Sequence, residues 1–227
     1  MNKYEYTIGR NVDMRKEQEK TLTSPPVHSN FILKAMYLTF DILYGKELSL
    51  PKVKALEILA RYPYWAWENG GYHFISRLFS ATEKVHADKI TEPLNWISMG
   101  REAQDNEQDH LFLMEQVIHH KGIKLGWFNN SFLPGVMAFK YLMLTRFMFW
   151  MNPIWSFQMN AAFESHAEHE YMKLAAAHPE WDNEKVDYLN YRNYPPQKSL
   201  GDLIRRIALD ERDHMYHSME EAERLEG

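Results

Sequence analysis

The chain contains no cysteine, which excludes disulfides, thiolate zinc sites, cysteine-ligated iron–sulfur clusters and thiol switches. Any metal it binds must be held by oxygen and nitrogen. It has no basic excess either: 26 Lys and Arg against 31 Asp and Glu leave a net charge of -5, so there is no positive footprint for nucleic acid and no nucleic-acid partner is expected. Alternating apolar runs bounded by turn residues are missing, which argues against a sheet. No internal repeat of solenoid length occurs. The first two dozen residues lack an apolar run, mixing Lys3, Arg10, Arg15, Lys16 and Lys20 with Glu5, Asp13, Glu17 and Glu19. That pattern is expected of neither a secretory signal nor an acid-poor transit peptide.

What is present is helical. With 227 residues and 45% hydrophobic content, the chain suits one domain with a substantial core. Residues 1–27 are polar and close on Ser24-Pro25-Pro26, which predicts a flexible N-terminal arm ending in a turn. Residues 28–227 form the expected domain. It begins with a short apolar helix from Phe31 to Tyr44, stopped by Gly45. The next helix opens at Ser49 with Pro51 in its first turn and carries Glu57; Pro63 is expected to kink or end it. An aromatic segment from Tyr64 to about His86 follows. Glu92-Pro93 then starts a long helix that ends at Gly122.

Residues 132–150 are the most apolar stretch, yet Lys140 and Arg146 interrupt them. Two cations in such a run favour an amphipathic or interfacial helix over a membrane span; a core helix whose cations snorkel outward is the competing reading. Asn152-Pro153 starts a further helix that stops at Pro179. A polar linker over 179–198 leads to the last helix, capped by Ser199 with Asp202 three residues on. The fold expected is all-α with about six helices.

Three Glu-x-x-His strings occur, more than chance pairing of these residue types supplies. One turn of helix separates the two residues, so each string puts a carboxylate and an imidazole on one face. Glu83/His86 lies in a polar stretch and reads as an exposed helix end. Glu107/His110 and Glu211/His214 lie mid-helix among apolar residues, so their charged faces should point inward, where ionised groups need a partner or a metal. Two isolated acids complete a set: Glu57 in Ala55-Leu56-Glu57-Ile58-Leu59, and Glu164 after Ala161-Ala162-Phe163. Glu68 competes with Glu57 from a less secure helical context. Four carboxylates and two imidazoles on four helices match the recipe of a ferritin-like four-helix bundle with a carboxylate-bridged pair of first-row metals.

These strings resemble those of the alternative oxidases, a family of cyanide-insensitive quinol oxidases that includes plastid terminal oxidase-like members. The family's L-E-T segment with a proline six residues after its Glu resembles Leu56-Glu57-Ile58 with Pro63. Its N-E-R-M-H-L resembles Asn106-Glu107-Gln108-Asp109-His110-Leu111. Its L-E-E-E-A-x-H-x-Y resembles the stretch from Phe163 and Glu164 through His169 to Tyr171, and its R-A-D-E-x-x-H resembles Ala208-Leu209-Asp210-Glu211-Arg212-Asp213-His214. Order and spacing agree from about Pro25 onward, and the match selects Glu57 over Glu68.

The resemblance implies a monotopic, homodimeric membrane protein facing the cytoplasm, matrix or stroma. It would couple quinol oxidation to reduction of dioxygen to water at a di-iron centre without pumping protons. Glu57, Glu107, His110, Glu164, Glu211 and His214 would hold two Fe; Tyr171 would be the redox-active tyrosine; Asp210, and Asn106 on the other half, would brace ligating imidazoles. The chain departs from the family at Ser165 and His166, at Glu168, and at Lys52, where the family has Arg. Glu168, one turn from Glu164, is open to three roles: extra ligand, proton donor or solvated residue. Lys52, Leu56 and His166 are the candidate substrate-binding positions. Two other readings stay open: a soluble di-iron oxygenase or desaturase acting on a small organic substrate, and a ferritin-like iron-binding bundle.

Overall fold

The computed structural model describes residues 3–80 and 88–227. Seven α-helices and no strand occur among the described residues: α1 Met14–Thr23, α2 Phe31–Tyr44, α3 Leu50–Ser80, α4 Asp88–His120, α5 Leu133–Met151, α6 Pro153–Ala177 and α7 Leu200–Glu226. A π-helical turn over Phe128–Phe132 leads into α5, and a 3-10 turn over Pro179–Asn183 follows α6. Helix starts use short polar side chains: Asn30, Asn152 and Ser199 accept from the backbone N–H of Leu33, Ile154 and Asp202, each satisfying a donor the helix itself leaves unpaired. The Glu83/His86 string lies outside the described residues.

Two expectations need correction. Pro63 neither ends nor splits its helix; α3 runs through it. The lost backbone bond is outweighed by burial on both sides of it, with Leu59, Tyr64 and Trp67 all in the core and Trp67 Nε1 donating to Ser156 Oγ at 2.8 Å. Pro93 likewise lies within α4, which begins upstream at Asp88. The segment expected as a flexible N-terminal arm holds α1, capped by Asp13, and its described residues from Lys3 to Thr21 lie across α7, bonding to Glu223, Asp213 and Arg212.

This covering accounts for the unusual burial of α7. Its inner side carries Leu203, Ile204, Ile207 and Ala208, while Arg205, Arg206, Asp210, Arg212 and Asp213 are buried as well. Each charged group has a partner. Asp213 accepts from the backbone N–H groups of Thr7 and Ile8 and from Thr7 Oγ1. Arg205 donates to Gln18 and Asp182, and Arg212 donates to Glu17, Thr21 and Glu168. Buried charge is tolerable only when satisfied in this way.

Two further packing arrangements set the frame. α3 and α4 approach closely at Gly100, where a Cβ would sit 2.8 Å from the Tyr64 carbonyl oxygen; the missing side chain lets Tyr64 reach the interior. α2 and α5 join α3 and α6 through Leu33, Phe40, Ala138, Tyr141 and Phe163, yet leave Phe31, Leu38, Ile42, Phe139, Phe147 and Trp150 exposed. The stretch Phe128–Met151 is, among the described residues, long and apolar enough to cross a membrane by length and composition, and 28% of its most apolar window is buried.

Candidate metal centre

α3, α4, α6 and α7 bring Glu57, Glu107/His110, Glu164 and Glu211/His214 to one buried locus. The residues form two adjoining tetrads. One is Glu57, Glu107, His110 and Glu211; the other is Glu107, Glu164, Glu211 and His214. In each, one ligand atom per residue lies within 4.8 Å of the others. Glu107 and Glu211 belong to both, so they sit between the two positions, while Glu57 with His110 and Glu164 with His214 close the ends. Glu68 is elsewhere, bound to Arg101 and Gln104.

The donor atoms are unsatisfied. Both oxygens of Glu107 and Glu211, Oε2 of Glu57 and of Glu164, and Nδ1 of both histidines are buried without a hydrogen-bond partner. His214 Nδ1 is 2.8 Å from Glu107 Oε1, and His110 Nδ1 is 3.2 Å from Glu211 Oε1, near but not aligned for bonding. Orphaned buried acceptors are rare and each costs about 1–3 kcal/mol. Here they converge, and all are oxygen and imidazole donors. That set suits hexacoordinate first-row cations such as Fe or Mn, and the residues fit a two-metal centre.

The remaining atoms are held from outside with approximate twofold symmetry. Tyr171 on α6 donates to Glu57 Oε1 on α3; Tyr64 on α3 donates to Glu164 Oε1 on α6 at 2.6 Å. Each tyrosine lies seven residues after the other's glutamate, so each helix exchanges a phenol for a carboxylate. Asp210 bonds His110 Nε2 at 3.2 Å, and also accepts from Tyr194 and Arg206 at 2.6 and 2.7 Å. An ionised carboxylate only accepts, so Nε2 of His110 carries a proton and Nδ1 faces the cradle. The symmetry breaks at Asn106, the counterpart of Asp210. Its Oδ1 is buried without a partner, so the expected bond from Asn106 to His214 is not made.

Tyr64 and Tyr194 were not singled out in the sequence. Tyr64 had a detectable signal, since Glu57/Tyr64 and Glu164/Tyr171 share one spacing. Tyr194 had none, because a linker residue reaches Asp210 only through the fold. Glu168 is neither ligand nor solvated: it is buried, and Oε1 accepts from Arg212 Nε at 2.8 Å and Thr21 Oγ1 at 2.6 Å. The candidate substrate-binding positions lie where α2 meets α3 and α6. Lys52 Nζ pairs with Asp41 at 2.6 Å, Leu56 packs in the cluster beneath α2, and His166 stacks on Tyr37 at 3.7 Å. Burial lowers the His166 pKa to about 4, so its ring is neutral near pH 7.

Charge in the metal-free cradle follows from burial and proximity. Burial, then Glu211 and Glu107, push Glu57 well above the usual carboxylate range; burial and the same two neighbours do so for Glu164. Burial opposes charge on Glu107 too, but His110 and His214 outweigh it and hold Glu107 low. Burial also opposes charge on both histidines, and the surrounding carboxylates outweigh it, raising both above the usual imidazole range. The metal-free cradle therefore holds protons more firmly at Glu57, Glu164 and the imidazoles than isolated groups would, and a metal taking these positions displaces them. Loading with Mn(II) in weak buffer is expected to release protons, and apparent affinity is expected to rise with pH. A pH indicator reads this directly; metal uptake without proton release would refute the charge assignment.

Neither a scan against protein-family models nor a search of curated proteins finds a match to this chain.

Proposed function

We propose that this protein is a di-iron quinol oxidase of the alternative oxidase kind, homodimeric and bound to one face of a membrane. In this reading α3, α4, α6 and α7 form a ferritin-like four-helix bundle around the metals, and α2 and α5 lie along the bilayer surface. The observation that carries it is the pair of adjoining tetrads sharing Glu107 and Glu211, with Tyr171 hydrogen-bonded to Glu57. The four ordered motif resemblances support it, as does the apolar face left exposed on α2 and α5. That face favours a lipophilic reductant over the small organic substrate of a soluble oxygenase.

Two iron ions, when bound, would supply the redox and Lewis-acid chemistry, and four glutamates match the +4 charge of a ferrous pair. The balanced reaction oxidises two quinols to two quinones and reduces one dioxygen to two waters, moving four electrons and four protons. Glu57 and His110 would hold one ion, Glu164 and His214 the other, with Glu107 and Glu211 shared. Tyr171 is buried, and burial followed by the Glu57 charge keeps its phenol protonated. Its hydrogen bond gives the phenolic proton an acceptor at Glu57 Oε1 if the ring gives up an electron, and a quinol hydrogen restores it. Tyr64 orients Glu164, and Asp210 orients His110. Quinol is proposed to approach past α2, through the region of Lys52, Leu56 and His166.

The test is oxygen uptake by purified, iron-reconstituted protein with a short-chain quinol and cyanide present, Glu164→Ala being the control. Uptake in the parent, falling by roughly a hundredfold or more in the variant, is the expected result. Two irons per chain with no quinol consumed would leave the metal centre standing and remove the oxidase.

A further inference from the structure

A cavity of about 450 Å³ opens beside the metal cradle, on a part of the molecule to which α2 and α5 contribute no lining residue. One wall is α4, with Glu102, Asp105, Asn106 and Asp109 on successive turns; the other is α7 and the linker before it. Its floor is His214, 7% exposed, which also belongs to the second tetrad. The outer wall is acidic. Glu102 and Asp105 are exposed at the outside, while the acids farther along the lining are paired, Asp109 with Arg192 at 3.6 Å and Asp210 with Arg206 at 2.7 Å.

Deeper in, the buried Oδ1 of Asn106 has no partner, and neither does Nδ1 of His214 on the cradle side. Unlike His110, whose Nε2 is taken by Asp210, His214 makes its close carboxylate approaches through Nδ1 alone. The arrangement is graded: exposed carboxylates outside, then a neutral amide oxygen, then an imidazole that is already part of the cradle. A hydrated divalent cation is drawn by the first, can shed water onto the second and is captured by the third.

We infer that this cavity is the entry route for divalent metal ions, with Glu102 and Asp105 attracting the cation, Asn106 passing it inward and His214 receiving it. The inference rests on the two-metal reading of the cradle. It separates the traffic of the site: ions enter from water between α4 and α7, whereas a lipophilic reductant would come from the α2 and α5 side. It also gives a reason for the asymmetry at Asn106, since an aspartate there would trap a cation short of the cradle.

The experiment is stopped-flow uptake of Co(II) by metal-depleted full-length protein, read by the visible absorption of bound cobalt, with stoichiometry at equilibrium. Three proteins are compared with the parent: Glu102→Gln/Asp105→Asn, the obstructing variant Asn193→Trp on the exposed linker, and Glu19→Gln/Glu47→Gln, which changes net charge equally far from the cavity. Uptake is expected to slow roughly tenfold in the first two, with a weaker salt dependence in the charge variant. All should reach two cobalt per chain, and the remote variant should match the parent. If the parent takes up two cobalt and all variants load equally fast, the route is wrong and the metal centre stands. A parent that binds no cobalt overturns both.

Discussion

Ferrous ion added anaerobically to metal-depleted protein is expected to raise its unfolding free energy by about 4 kcal/mol per site, at a free-metal concentration a thousandfold above Kd. The size follows from what the metal-free fold tolerates. Glu57, Glu107, Glu164 and Glu211 are all nearly or fully buried at one locus, with donor atoms left unpaired. A cation satisfies those atoms, cancels their mutual repulsion and binds the unfolded chain weakly, where the six residues are scattered. Urea denaturation with and without metal measures the gain. Glu164→Ala should abolish the gain from one site. Glu107→Ala should abolish nearly all of it, because Glu107 belongs to both tetrads. An unfolding midpoint that ignores metal, or equal losses from the two variants, would count against two positions bridged by shared carboxylates.

Arg212→Met should destabilise the protein by about 3–5 kcal/mol, the range for removing one partner of a buried ion pair. Arg212 and Glu168 are 3% and 4% exposed, and the guanidinium also ties down Thr21 and Glu17 from the N-terminal segment. Loss of Arg212 leaves the Glu168 carboxylate buried with a threonine hydroxyl as its remaining bond. Most of the penalty is therefore desolvated charge, and Arg212→Met/Glu168→Leu should recover a large part of it. Urea unfolding of the two variants decides the point. A single-variant loss no larger than that of the exposed Arg192→Met would mean that the pair is solvated in solution.

The six cradle residues were legible in the sequence because helical spacing is local. Glu-x-x-His fixes two donors on one face whatever surrounds them, and an acid isolated in an apolar run, as at Glu57 and Glu164, is conspicuous. The all-helical class was readable for the same reason. Glu168 was open because spacing gives the face of a side chain but not the distant partner it meets; Arg212 and Thr21 decided it. Tyr194 and the covering of α7 by residues 3–23 depend on contacts between opposite ends of the chain. Pro63 shows the reverse limit, a strong local signal overruled by Tyr64 and Trp67 packing beyond it.

The bonds between Thr7 and Asp213 join residues 206 positions apart, and this bears on how the protein is made. During synthesis the N-terminal segment emerges first, and the helix it covers is the last of the seven. Until α7 appears, Glu57, Glu107 and Glu164 have neither Glu211 nor His214, so neither tetrad is complete. Such distant closure folds slowly and leaves intermediate surfaces exposed. A complete set of donors is therefore available only once α7 has been made, and a chain interrupted anywhere before Glu211 presents carboxylates and apolar helices with no centre for them to enclose.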